Sequence, residues 1–206
     1  MRKVVLSEFI TLDGVIENPQ WTLQFFSDEA GKFKLDELFA SDMLLLGRVT
    51  YEGFAEAWPT MTDEQGFADR MNSLPKAVAT RTLTDLTWNA TPLGDDVVAE
   101  VKKLKEEDGD GDILVGGSGK FARTLMEADL IDEYRLMVYP IVLGYGQRLF
   151  TSDLEKKLKL DRTVSLPNGV IVLSYSPTLG APESNETATN GASVRVQNVT
   201  NSSRQP

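Results

Sequence analysis

The sequence predicts an α/β fold with a mostly parallel central sheet, flanked by helices and completed by a C-terminal antiparallel hairpin. Three observations carry this. Strand-like and helix-like stretches alternate over residues 1–176, the pattern of repeated strand–helix–strand units. Met43–Leu46 and Ile113–Val115 are short, continuous apolar runs, as expected of strands covered on both faces. Pro167-Asn168-Gly169 separates two late strand-like stretches, and Asn-Gly is a hairpin turn.

In chain order, Val4–Leu12 reads as a strand interrupted by Glu8 and ended by the turn dipeptide Asp13-Gly14. Asp28–Ala40 reads as a helix with Phe33, Leu38 and Phe39 on its apolar face, followed by the strand Met43–Leu46. Helices are expected from Arg48 towards Ala57 and over Gln65–Ser73, then a short strand over Ala77–Thr80. Asp95–Glu107 carries Val97, Val101 and Leu104 at helical spacing, with Asp95 and Asp96 able to cap its positive end. After Asp108-Gly-Asp-Gly-Asp112 come the strand Ile113–Val115, a helix reaching Ala128, the strand Tyr134–Tyr139 and the hairpin strands Leu158–Leu166 and Val170–Tyr175. The acidic run lacks the further ligands and terminal Glu of a calcium loop, so it reads as a solvated turn.

Composition narrows the chemistry. Among 206 residues there is neither Cys nor His, which removes thiolate nucleophiles, disulfides, Ser-His-Asp machinery and ordinary zinc sites. Proton transfer is left to Asp, Glu, Lys, Tyr or water. A net charge of −10, from 31 acidic and 21 basic residues, argues against a nucleic-acid partner, which needs a basic face. No apolar run approaches the ~20 residues of a membrane span, and the charged N-terminus is unlike a signal peptide; a cytoplasmic protein is expected. Residues 1–177 are read as one domain and 178–206 as a disordered polar tail, too poor in large apolar residues to order itself. The triplets beginning at Asn185, Asn198 and Asn201 fall in that tail and read as chance products of its composition.

Three strand ends carry the functional signal. At Ile113–Phe121 a buried strand runs into Gly116-Gly117-Ser118-Gly119-Lys120 and a helix start. Such a turn presents free amides and partial positive charge to a phosphate, and glycines let the backbone approach it closely; a purely structural turn uses the same residues. The passage is neither GxGxxG nor a Walker loop. Leu46-Gly47-Arg48-Val49-Thr50 repeats the logic, with Arg48 and Thr50 as phosphate partners or Arg48 as a solvated helix-start residue. At Val78–Thr82, Thr80 and Arg81 follow a strand, either to hold the ribose phosphate that separates NADPH from NADH or as an exposed loop.

Together with Ile10–Ile16 and Leu143–Phe150, these passages resemble, in order and spacing, the dihydrofolate reductase-like superfamily, in the branch similar to the reductase domain of the riboflavin-pathway bifunctional deaminase–reductase. The resemblance spans about residues 2–176. It implies a dihydrofolate reductase-like fold and an NADPH-dependent reduction. The stretch of Gly47, Arg48 and Thr50 would meet cofactor phosphates, Thr80 and Arg81 the ribose phosphate, and Gly116, Gly117, Ser118, Gly119 and Lys120 the pyrophosphate. Ile16 would contact the nicotinamide. It also implies a homodimer by analogy.

The substrate side is thinner. Asp13 stands at the expected mouth of the site, and Trp21, Phe54 and Trp58 are candidates to stack on a planar ring, or core. Asp28 and Glu29 lie near the place of a folate-binding acid, with Gly31 close to the matching position, or simply favour the helix dipole. No metal ligand set and no catalytic side chain can be named. The expected activity is hydride transfer from NADPH to a C=N or C=O bond of a small, heterocyclic substrate. The alternatives are riboflavin-pathway aminopyrimidine reduction, folate reduction, or a non-catalytic nucleotide-binding protein on the same fold.

Overall fold

The computed structural model describes residues 1–151 and 154–178; nearly all of the tail expected over 178–206, including the three Asn triplets, lies outside them. Its elements run β1 (Val4–Thr11), α1 (Asp28–Phe39), β2 (Ser41–Gly47), α2 (Arg48–Ala57), α3 (Phe67–Ser73), β3 (Lys76–Ala79) and β4 (Ala90–Pro92). Then follow α4 (Val97–Glu106), β5 (Asp112–Gly116), α5 (Gly119–Glu127), β6 (Glu133–Tyr139), β7 (Leu158–Ser165) and β8 (Ile171–Pro177). One sheet holds all eight strands in the order β4-β3-β2-β5-β1-β6-β8-β7. The pairs from β4 to β6 are parallel; β8 pairs antiparallel with β6 and with β7. The expected architecture is the one observed.

Strand periodicity fills both faces of the sheet. Val4, Leu6, Leu45, Ile113 and Val115 pack with α4 and α5 residues on one side. Their chain neighbours Val5, Leu44, Leu46 and Leu114 pack with Leu38, Tyr51 and Met71 on the other. That is the period of two expected of side chains alternating across a strand.

Several boundaries differ from the sequence reading, for local reasons. The helix expected from Gln65 starts at Phe67, because the Asp63 carboxylate accepts from the amides of Gln65, Phe67 and Ala68 and holds the preceding turn. Asp96 alone caps α4, accepting from the Ala99 amide at 3.0 Å. The short strand β4 has no periodic signal; it follows Trp88 and Asn89, both in left-handed backbone (φ 57° and 52°), and joins the sheet through register with Lys76–Val78.

The connections position the site. The path β1–α1–β2 crosses β5 towards one edge of the sheet, and β5–α5–β6 crosses β1 towards the other. Connections that leave adjacent parallel strands in opposite directions open a crevice at the strands' carboxyl ends. Here it lies between β5 and β1.

Candidate functional site

A cavity of about 900 Å³ occupies this crevice, near the upper end of the roughly 300–1,000 Å³ usual for small-molecule sites. Registers align the strand ends beside it: Gly47 pairs with Ala79, Leu45 with Val115, and Ser7 with Gly116. Because the strands are parallel, the turns after β1, β2, β3 and β5 emerge on the same side of the sheet.

The β5–α5 turn forms one wall. Gly116, Gly117, Ser118, Gly119 and Lys120 all line the cavity. A Cβ at Gly116 would meet nothing within 4 Å, so bare backbone faces open space. Gly117 and Ser118 both adopt positive φ (79° and 72°), and no side chain caps the start of α5. The first-turn amides of this nine-residue helix therefore keep no side-chain partner, and the turn fits a phosphate group. Close approach joins it to its neighbours. A Cβ on Gly47 would lie 2.2 Å from Ser118 Oγ, and one on Gly119 would lie 2.6 Å from Ile16 Cδ1. Thr50 Oγ1 stands 3.1 Å from the Cβ position of Gly117, which puts its hydroxyl beside the turn.

A second wall is made by residues far apart in sequence. The loop after β1 is clasped by residues 143–149 through an antiparallel bridge between Val15 and Arg148. Ile16 N donates to Gln147 O at 2.9 Å, and Leu149 N to Gly14 O at 3.0 Å. Ile16 and Gln147 both line the cavity. Asp13 serves this clasp. Its carboxylate accepts from the Thr11 hydroxyl at 2.7 Å and from the amides of Gly144 and Leu143 at 2.8 and 3.2 Å. The Thr11 bond above all, with the Gly144 amide, pulls its carboxyl down to about 2.

Of the residues expected at the site, the structure brings Ile16, Thr50, Phe54 and Gly116–Lys120 around the cavity. Gly47 abuts it through Ser118. Asp13, expected against substrate, is instead absorbed by the clasp and is not among the lining residues. Nor do Arg48, Thr80 and Arg81 line the cavity. Arg48 pairs with Glu52 one turn along α2 at 2.9 Å; Thr80 Oγ1 accepts from the amides of Thr82 and Leu83 at 3.2 and 3.1 Å, tying its own turn. Arg81 is exposed at the tip after β3. Trp58 and Phe67 join Phe54 as an aromatic wall, with Phe54 edge-on to Trp58 at 6.3 Å. Trp21 packs 5.3 Å from the Tyr139 ring elsewhere, and Asp28 and Glu29 stay in the first turn of α1 outside the cavity.

The polar floor was not anticipated. Ser7, Glu8, Lys34 and Glu37 line it. Lys34 Nζ donates to Ser7 Oγ at 2.8 Å and pairs with Glu37. Ser7 donates to Glu37 Oε2 at 2.9 Å, and Arg135 approaches Oε1 of the same carboxylate at 3.6 Å. Glu8 is 7% exposed, and its Oε1, like Glu37 Oε1, has no hydrogen-bond partner; among the described residues it also lacks the ion-pair partner that Arg135 gives Glu37. Burial pushes the Glu8 carboxyl up to about 8, with the Lys34 charge and the Gly117 amide opposing the rise. The one sequence signal for this residue is a charge inside a strand that ought to be buried on both faces. Among the described residues no cluster of Asp and Glu suited to a metal ion occurs, and no helix is long and apolar enough to cross a membrane.

Known proteins resemble this chain in sequence and in fold. The chain is 29% identical over 178 residues to the uncharacterized protein YyaP of Bacillus subtilis, covering 84% of this chain and 94% of that protein. It is 27% identical over 164 residues to the uncharacterized YwjB of the same organism, covering 77% and 90%. Its fold is similar to that of a crystal structure of a putative riboflavin biosynthesis protein from Shewanella sp. PV-4, with a TM-score of 0.67 at 19% identity, covering 85% of this chain and 99% of that one. A diaminohydroxyphosphoribosylaminopyrimidine deaminase/5-amino-6-(5-phosphoribosylamino)uracil reductase from Thermotoga maritima superposes with a TM-score of 0.60 at 17% identity, over 86% of this chain and 57% of that one. Residues 2–172 match the RibD C-terminal domain, and the chain belongs to that family.

Proposed function

We propose that the chain is an NADPH-dependent reductase of a C=N or C=O bond in a small, planar, heterocyclic substrate. The observation that carries this is the single cavity wall from Gly116 to Lys120, bare backbone and an uncapped helix start, facing an aromatic wall across a polar floor. NADPH supplies the hydride when bound. The chain's residues hold and orient it: the Gly116–Lys120 turn and Thr50 take phosphate oxygens through amides and hydroxyls. Thr80 and Arg81, at the adjoining tip, take the ribose phosphate beyond the cavity. Ile16 packs on the nicotinamide, and Phe54 with Trp58 flanks the substrate ring.

Family membership favours a second reading, in which the substrate is a ribosylated aminopyrimidine phosphate of riboflavin synthesis. The cations lining the cavity speak for the first. They are Lys34 and Lys120, and Lys34 is committed to Glu37, so the substrate end offers no free charge to a phosphate. As part of the same proposal the protein is cytoplasmic and pairs as a homodimer through its late loop, where Val142 and Tyr145 are exposed. Sedimentation of a Tyr145→Glu variant as a monomer beside a dimeric parent tests the pairing.

Titration with NADPH and NADH, followed by nicotinamide fluorescence, tests the cofactor. NADPH is expected to bind the more tightly, with the advantage lost in Arg81→Ala. Comparable weak binding of both, unaltered by that substitution, overturns the reading.

A further inference from the structure

We propose that Glu8 is the acid of this site, donating a hydrogen bond to the acceptor atom of the substrate's C=N or C=O group and giving it a proton during reduction. The inference rests on the reductase reading and names the catalytic residue that reading lacks.

Position comes first. Strand β5 ends at Gly116, opposite Ser7, so Glu8 is the first residue of β1 without a β5 neighbour; on its other side it pairs with Leu136. It therefore sits at the base of the crevice and lines the cavity. A glutamate buried for structural reasons has its oxygens engaged, because an unpaired polar atom away from water is costly. Glu37, also on the floor, has Oε2 bonded by Ser7 and Lys34, and its Oε1, likewise without a hydrogen bond, still has the Arg135 guanidinium 3.6 Å away. Glu8 Oε1 has neither a hydrogen-bond partner nor an ion-pair partner among the described residues. A buried oxygen that the fold leaves unpaired, at a cavity wall, is a place for a ligand atom.

Charge decides which form the carboxyl takes. From α1 it is faced by Lys34 and Glu37, from β6 by Arg135 beyond Ser7, from the β5–α5 turn by the Gly117 amide and Lys120, and from the loop after β1 by Glu17. Lys34 and Arg135 are both engaged with Glu37. Lys120 and Glu17 are exposed at the rim. No cation is left to Glu8 alone, so burial prevails and holds the carboxyl neutral, able to donate.

The chemistry balances. The carbon of the C=N or C=O bond gains the hydride, its π pair moves onto nitrogen or oxygen, and that atom takes the Glu8 proton. The two-electron donor is a reduced nicotinamide dinucleotide, consumed to its oxidised form. The Glu8 carboxylate then recovers a proton from solvent.

Three measurements on the full chain test this. The first needs no cofactor: the side-chain carboxyl carbons of 13C-labelled glutamate are followed by NMR across pH. One signal, absent in Glu8→Gln, is expected to titrate near neutral or mildly alkaline pH and to move higher in Lys34→Met, where the opposing charge is gone. Glu8→Asp, which also removes this glutamate carbon but keeps a carboxyl, identifies the signal even if Glu8→Gln does not fold. Titration in the ordinary glutamate range overturns the proposal. The second is NADPH binding by fluorescence, and its absence overturns the reductase reading while the carboxyl titration still judges Glu8. The third is NADPH oxidation with 7,8-dihydropterin and 9,10-phenanthrenequinone as C=N and C=O probes. The wild-type rate is expected to fall tenfold per pH unit above the Glu8 titration. Glu8→Gln should be slower by about 100-fold or more with a flat profile, and Glu8→Asp should recover part of the rate with its pH dependence. A Glu8→Gln enzyme of unchanged rate and profile, or a wild-type chain that binds NADPH and reduces neither probe, overturns it.

Discussion

Lys76 and Glu8, a buried cation-former and a buried acid in the parallel strands, have been treated oppositely. Lys76 opens β3, is 1% exposed, donates to Asn72 O at 3.0 Å and sits 3.9 Å above the Trp88 ring. Burial pushes its ammonium down to about 8, yet a carbonyl and an aromatic face attend it. Glu8 lies where β1 runs past the end of β5, 7% exposed, with an oxygen unattended. The difference follows the direction of the strands. At their amino ends the chain closes on itself; at their carboxyl ends diverging connections leave an open crevice.

The largest effect expected from this contrast is a pH-dependent stability. The Glu8 carboxyl is raised from 4.5 to about 8 in the folded chain, so its contribution is fully present below pH 4.5 and is lost as pH rises through about 8. At about 1.4 kcal/mol per unit, denaturant unfolding should register a loss on the order of several kcal/mol across that window, much reduced in Glu8→Gln. Lys76 runs the other way: its folded value is depressed from 10.5 to about 8, so its contribution is present above pH 10.5 and is lost as pH falls through about 8. If Glu8→Gln left the pH slope between 5 and 8 untouched, the two groups would not differ as described.

Next in size is Gly47→Ala at the carboxyl end. The new methyl would stand 2.2 Å from Ser118 Oγ, and overpacking of this kind costs about 1–3 kcal/mol. Because the clash is with the phosphate turn, NADPH affinity should fall more than tenfold, and a Gly47→Ala/Ser118→Gly double variant should regain much of it. Arg81→Ala should weaken NADPH roughly tenfold, the scale of one charge-assisted bond, and leave NADH unchanged in the same fluorescence assay. Smallest is Lys76→Met, which keeps the stem's volume and should change stability by less than about 1.5 kcal/mol with no change in NADPH affinity. An affinity loss there would erase the distinction between the two ends of the sheet.

The sequence disclosed the fold well, because apolar runs such as Ile113–Val115 and the Asn168-Gly169 turn reflect local rules that the tertiary structure reinforces. The strand–turn–helix geometry of Gly116–Lys120 was legible for the same reason: glycines at a strand–helix junction have a local meaning. The polar floor was hidden. Ser7, Lys34 and Glu37 come together only because α1 packs over β1, and Glu8 reads as an interruption until β5 is seen to stop at Gly116. Asp13 misled in the opposite direction. Its place beside a turn suggested the mouth of a site, whereas its partners Leu143 and Gly144 lie about 130 positions away, a distance no local pattern spans. Strand β4 was missed because three residues, one of them Pro92, carry no period.

The pairing of Val15 with Arg148 also bears on how the protein comes into being. The Gly116–Lys120 turn proposed to hold phosphate is complete at residue 120, but the wall around Ile16 waits for residues 143–149, which follow it in the chain. On the proposed function, a growing chain makes the turn for the phosphates before the wall that would shelter the nicotinamide. An insertion that broke the Val15–Arg148 bridge would call for a matching change in residues 143–149.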